Sequence, residues 1–261
     1  MSKRKRTLVA LGITVLVSGI YLWFFGVQTI SSLTVRYTFR KMPDVAKTPV
    51  PLPDSSVSNV PHRKMSYFGY EFEVPWDDID EQKSKTVGTI RLTCFGSGNA
   101  FWFSSFPPKE FVNTVLKTAQ LDPQGFRQLY GDDALDSDYA FHQKMLQITP
   151  GQITPFVSRR QAMAGQTLLL FKALSMPKAS SGIFSIQVPG FEGFQFENPA
   201  TRPLRISDEL FSNDGGIELI FFQKVSGSAP TISQSEINRI VRSIRKVPPQ
   251  VVAANVSGNG K

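Results

Sequence analysis

From Leu8 to Val27 the chain runs for twenty residues without a charge, and four cations, Lys3, Arg4, Lys5 and Arg6, stand directly before that run. At about 1.5 Å per residue, a helix of this length spans roughly 30 Å, the thickness of a bilayer's hydrocarbon core. The leading cations hold the N-terminus in the cytoplasm, and Tyr21 and Trp23 fall near the far interface, where amphipathic rings are favoured. The distal part reads Tyr21-Leu22-Trp23-Phe24-Phe25, bulky where a signal peptidase needs small residues, and no Cys closes the run to take a lipid. The expectation is a basic cytoplasmic tip over residues 1–6, an uncleaved signal-anchor helix over residues 7–27, and an extracytoplasmic remainder. Cleavage near Gly26 or Ser31 is the alternative, and it makes the remainder a secreted carrier of apolar ligands.

Charge supports a topology signal more than a ligand. The net charge is +8, and the four leading cations account for half of it. The other +4 is scattered, with no basic stripe interleaved with aromatics, which argues against nucleic-acid binding. The single Cys, Cys94, cannot form an intramolecular disulfide, so the fold does not rest on oxidation. Phe occurs 21 times. Such a surplus fits a large aromatic core, or an apolar ligand cavity or docking patch.

Beyond the anchor, residues 28–63 read as a juxtamembrane and Pro-rich spacer; Met42 to His62 holds five Pro and shows no apolar period. Residues 64–246 form one candidate domain, and residues 247–261 read as a disordered tail. In the domain's opening, MSYFGYEFEVPW, Phe68, Tyr70, Phe72 and Val74 share one side of a period-two alternation, against Glu71 and Glu73. Thr86 to Phe95 predicts a second strand, with Ile90, Leu92 and Cys94 on one face, and NAFWF a third. Four helices follow: one capped by Ser105, one after Asp122, one capped by Ser137, and one opened by a Ser158–Gln161 capping box. TLLLFKALSM, within the last of these, also fits a buried strand.

Four strand candidates come next, SGIFSIQV, FEGFQFE, PLRISDELF and GIELIFFQKV, the last two joined by SNDGG. SQSEINRIVRSIRK closes the domain as a helix: Ser233 and Glu236 make a capping box, and Ile237, Ile240, Val241 and Ile244 form its apolar stripe. The order β-β-β-α-α-α-α-β-β-β-β-α defines an α+β class with a mainly antiparallel sheet packed by helices. GYEFEVPW and the closing hairpin plus helix resemble the α/β sandwiches of PsbP-like proteins. The resemblance implies a fold and carries no function.

No local motif assigns a chemistry, so the expectation is no catalytic, metal or cofactor-binding residue, and no cofactor. His62 and His142 have no second ligand at helical spacing. Asp77, Asp78, Asp80 and Glu81, and likewise Asp132, Asp133, Asp136 and Asp138, lack the register of a calcium loop and read as turn and capping residues. Cys94 with His142 is a dyad only if the fold joins them. Gly96-Ser97-Gly98 is too short for a nucleophile elbow, Gly190 and Gly193 read as a turn and a bulge, and Arg159-Arg160 as a solvated first turn.

The leading expectation is therefore a single-pass membrane protein with an extracytoplasmic binding or assembly domain. It acts at the cell envelope on a protein partner or an apolar ligand. An envelope hydrolase with dispersed residues is the enzymatic alternative. A third reading leaves the function to helix–helix contacts of the anchor through Ser18 and Gly19.

Overall fold

In a computed structural model of the chain, the residues described are 14–21, 26, 30, 33–34, 36–38, 40, 48–54, 63–120, 122–154, 159–175, 182–198, 205–223 and 233–247. Residues 14–21 and Gly26 of the expected anchor are helical, and the rest of 7–27 lies outside the described residues. Among the described residues no helix is long and apolar enough to cross a membrane.

Among the described residues the domain carries eleven strands: β1 (Val50–Pro51), β2 (Arg63–Tyr67), β3 (Tyr70–Val74), β4 (Lys85–Val87), β5 (Ile90–Cys94), β6 (Asn99–Phe106), β7 (Gly182–Val188), β8 (Phe191–Asn198), β9 (Arg205–Ser212), β10 (Gly215–Gln223) and β11 (Arg245–Lys246). Helices α1 (Glu110–Ala119), α2 (Pro123–Tyr130), α3 (Asp138–Gln147) and α4 (Arg159–Ser175) lie between β6 and β7, and α5 (Gln234–Ser243) precedes β11. The main sheet has the order β1-β7-β8-β9-β10-β6-β5-β4, antiparallel except for the parallel β1–β7 pair. A smaller sheet, β11-β3-β2, stands apart from it. The fold is α+β, with a mostly antiparallel sheet and helices.

Both faces of the main sheet are covered, and that is where the aromatic surplus goes. On one face Phe194, Phe196 and Phe211 meet Val115, Phe126, Phe141, Met145 and Leu168 of the helical layer. On the other, Phe101, Phe103, Leu210, Leu219 and Phe221 meet Phe72 and Val74 of the small sheet and Ile237, Ile240 and Val241 of α5. Phe72 stacks on Phe103 at 5.4 Å and meets Phe101 edge-on at 5.7 Å. Such pairs contribute roughly 0.5–1.5 kcal/mol beyond their burial.

Several local expectations change. The opening strand is a hairpin, β2–β3, turning at Phe68 and Gly69; Phe68 takes a positive φ of 51° and leaves the buried face, which keeps Tyr70, Phe72 and Val74. Thr86 to Phe95 is likewise a hairpin, β4–β5, in which Thr93 is the fully buried residue and Cys94 is half-buried. Ser105 stays in β6. α1 starts after Lys109, whose φ of 60° leaves the helix without a cap of its own. TLLLFKALS is helix, and Gly193 pairs regularly within β8. Ser158, the expected cap of α4, lies outside the described residues. The caps at Asp122, Ser137 and Ser233 agree with the sequence.

The expected spacer also contributes to the domain. Val50 and Pro51 pair with Phe184 and Ser185, Leu52 is buried, and its N–H donates to Ser185 O at 3.0 Å. Arg242 Nη2 donates to Leu52 O at 3.0 Å and Asn238 Nδ2 to Pro53 O at 3.1 Å. Residues 48–54 are thus a strap clamped to the β7 edge and α5. Pro51, with no N–H to offer, blunts that edge of the sheet.

Candidate functional site

An open cleft of about 680 Å³ lies at the end of the main sheet where β7, β9 and their turns finish. Its walls are the β7–β8 turn with Gly190, the β9–β10 turn with Asn213, the Pro108–Lys109 approach to α1, and the start of α3. Phe191 and Phe211, buried on opposite faces of the sheet, both line it. Tyr139 lines the wall and stacks on Phe194 at 4.9 Å. Asp136 and Glu192 line it as carboxylates against one cation, Lys109.

The polar groups at the back are already engaged. Asp138, almost fully buried, accepts from Val112 N at 3.0 Å and so caps α1 from another helix. Burial raises its carboxyl above the ordinary range, while the Val112 N–H and the nearby His142 oppose that rise. Ser137 Oγ accepts from Ala140 N at 3.0 Å, and Ser212 Oγ donates to Gly215 O at 2.8 Å. The Ser137 hydroxyl caps α3, and the Ser212 hydroxyl closes the β9–β10 hairpin.

Against Phe211, on the helical face, sits a buried pair. His142 Nε2 lies 3.1 Å from Glu209 Oε2, and His142 Nδ1 donates to Asp138 O at 2.8 Å. Phe111 and Phe211 each centre 4.8 Å from the imidazole and close it off from the cleft. On the opposite face of β9, Asp208 Oδ1 accepts from Gln195 Nε2 at 2.7 Å. Gln234 bonds to Gln195 and Asn238, extending that polar seam to Pro53 of the strap. Asp208 Oδ2 has no hydrogen-bond partner among the described residues. Burial pushes the Asp208 carboxyl up to about 8.

The candidate residues drawn from the sequence scatter in space. Cys94 ends β5, whereas Glu209, the partner of His142, is in β9, with β6 and β10 between. Three strand spacings of about 4.8 Å separate the two by roughly 14 Å, before any offset along the strands. Proton transfer needs hydrogen-bond reach, so Cys94 and His142 form no dyad. The acidic clusters are divided among separate partners: Asp78 with Ser97 N, Asp80 with Lys83, Glu81 with Arg91, Asp133 with Lys144, Asp136 with Arg127. Among the described residues no group of three or more His, Cys, Asp or Glu is placed to hold a metal ion. Arg159 and Arg160 open α4.

Sequence reasoning misses Glu209, Asp208, Gln195 and Asn238. A signal exists: Asp208-Glu209 sits inside a strand that the sheet order makes central, where a charged pair is costly unless satisfied. No protein-family model matches the chain, and no curated protein shows significant similarity to it. The fold and cleft define an α+β domain with a recess at one end of its sheet.

Proposed function

We propose that the chain is a single-pass membrane protein whose α+β domain lies outside the cytoplasm and binds a protein partner through the cleft. The observation that carries the binding half is the cleft itself: Phe191 and Phe211 in its lining with the Glu192 carboxylate beside them, and Asp136 shared with Arg127. Charge complementarity favours a partner segment that presents Lys or Arg next to an apolar side chain. The membrane half rests on the uncharged run from Leu8 to Val27 behind four cations. The engagement of Asp138 and Ser137 in helix caps and of Ser212 in the β9–β10 hairpin favours recognition over catalysis.

The test is site-specific photocrosslinking in intact cells, with a crosslinker at Asn213 of the tagged full-length chain. The expected result is a discrete protein adduct in the membrane fraction, lost on combining Asp136→Lys with Glu192→Lys. An adduct indifferent to that charge reversal, or none, removes the cleft as the binding site. A tagged product shortened by about 30 residues and found free of membranes supports the secreted carrier instead.

A further inference from the structure

A second recess opens in the helical layer, at the other end of α3 from the cleft. The cleft takes in the start of that helix, Asp138 and Tyr139. The recess, of about 350 Å³, takes in its last turn, Lys144 and Gln147, and the Ile148 that follows. The ten residues of α3 set the two about 15 Å apart. Tyr130 at the end of α2, Gln152 and Ile153 after α3, and Gln161 in the first turn of α4 complete the wall.

The polar groups there are rich in donors. Lys144 can only donate, and its ion-pair partner among the described residues, Asp133, is mostly exposed and 3.4 Å away. Gln152 Oε1 accepts from Thr149 N at 3.1 Å, which leaves that side chain its NH2 group to offer. Tyr130 reaches across to α4: a Cβ added at Gly165 stands 3.5 Å from its hydroxyl and 2.8 Å from Ile153 Cδ1, so both side chains rest on bare helix backbone. The hydroxyl has no hydrogen-bond partner among the described residues, and burial raises it well above the ordinary tyrosine range, so it keeps its proton and donates.

The C-terminal end of a helix ordinarily disfavours an anion. At this one Lys172 Nζ donates to Leu146 O at 2.8 Å and Ile148 O at 2.7 Å, which offsets the partial charge. Among the described residues no carboxylate lines the recess, and Ile148 and Ile153 give it an apolar side.

We propose that this recess binds a small organic acid, its carboxylate taken by Lys144 and Tyr130 and its hydrocarbon body lying against Ile148 and Ile153. A carboxylate offers only acceptors, which matches those donors. An apolar molecule strips water from the donors and leaves them unmet, and a bare inorganic anion leaves the isoleucines uncovered. A volume of about 350 Å³ lies at the lower end of small-molecule sites. The recess is separate from the cleft, so this assignment depends neither on the anchor nor on a protein partner.

The test is saturation-transfer NMR on the full-length chain, with 3-phenylpropanoate as the probe and 3-phenylpropanamide as its uncharged counterpart. Saturable transfer to the carboxylate is expected, with a Kd of about 1 mM or lower. Binding of the amide is expected to be weaker by about tenfold or more, because it carries no charge for the donors. Tyr130→Phe, which removes one oxygen, and Lys144→Met, which keeps the apolar stem, are each expected to raise the Kd by about tenfold or more. Thermal melting confirms that both variants are folded. Equal binding of the amide overturns the anion. Displacement of the probe by inorganic phosphate at equal concentration overturns the hydrocarbon half. A Kd unchanged in both variants puts the binding elsewhere and overturns the site, and so does the lack of any saturable transfer up to about 10 mM.

Discussion

His142 Nε2 lies 3.1 Å from Glu209 Oε2 with both side chains almost wholly out of water. A carbonyl can only accept, so Nδ1 donates to Asp138 O, and a proton on Nε2 completes an imidazolium facing the carboxylate. Burial alone drives a histidine's affinity for its proton down. Here Glu209, and after it Asp138, outweigh burial and leave His142 above its ordinary value. The pair's contribution is therefore complete below the unfolded value of about 6.5 and fades as pH rises through the higher folded one. Glu209→Gln is expected to cost about 3–5 kcal/mol at pH 6, and less in alkali. Urea unfolding from pH 5.5 to 9 measures this, and the NMR titration of His142 reports the proton directly. A His142 that titrates below 6.5 in the folded protein sinks the ion-pair assignment.

Asp208 titrates in the opposite sense from a salt-bridged acid. Burial lifts its carboxyl to about 8, with Gln195 opposing the lift and Glu209 adding to it. Between about 4 and 8 the unfolded chain has released a proton that the folded chain keeps, so stability falls as pH rises through that window. Asn at this position imitates the protonated acid and still accepts from Gln195. Asp208→Asn is expected to stabilise the domain at pH 8 by on the order of a few kcal/mol, with no gain near pH 4. Urea midpoints at pH 4, 6 and 8 measure the trend, and an Asn variant weaker than the parent at pH 8 counts against a protonated Asp208.

What the sequence hides follows from the same two residues. Adjacent residues of a strand point to opposite faces, so one of Asp208 and Glu209 would ordinarily be wet, yet β9 is covered on both sides and every residue from Ile206 to Phe211 is buried. Their partners, Gln195 and His142, come from other elements, so no local spacing reveals them. α5 is legible because its cap and its stripe are both local: Ser233 with Glu236, and Ile237 to Ile244. The strap is not, because a two-residue parallel pair needs no periodicity and its prolines imitate a free spacer. At Phe68 a positive-φ turn continues the alternation on paper while reversing the chain in space.

Lys172 holds two helices together from inside. Its Nζ donates to Leu146 O at 2.8 Å and Ile148 O at 2.7 Å, at the C-terminus of α3, where a cation also suits the helix dipole. Lys172→Met keeps the apolar stem and leaves both buried carbonyls short of a donor. The expected loss is about 3 kcal/mol, with the urea m-value unchanged because the folded domain stays as compact. A loss under about 1 kcal/mol, the scale of an ordinary neutral bond, would show that water replaces the ammonium there.

Gly193 in β8 leaves no room for a side chain against β9. A Cβ on it collides with Glu209 O and stands 3.0 Å from Leu210 Cα, and backbone of a central strand cannot turn aside as a side-chain tip does. Gly193→Ala must push β9 away, which shifts Glu209 against His142 on one face and Asp208 against Gln195 on the other. The expected cost is at least about 3 kcal/mol, at the upper end of overpacking effects. Gly190→Ala is the internal comparison: its φ of 84° strains an alanine, but nothing lies within 4 Å of the added carbon. A left-handed penalty of about 1–2 kcal/mol is expected there, with the His142 NMR titration unmoved. The two variants therefore separate strain in a turn from collision in a strand. If Gly193→Ala proves as mild as Gly190→Ala, the close approach that seats both buried acids is wrong.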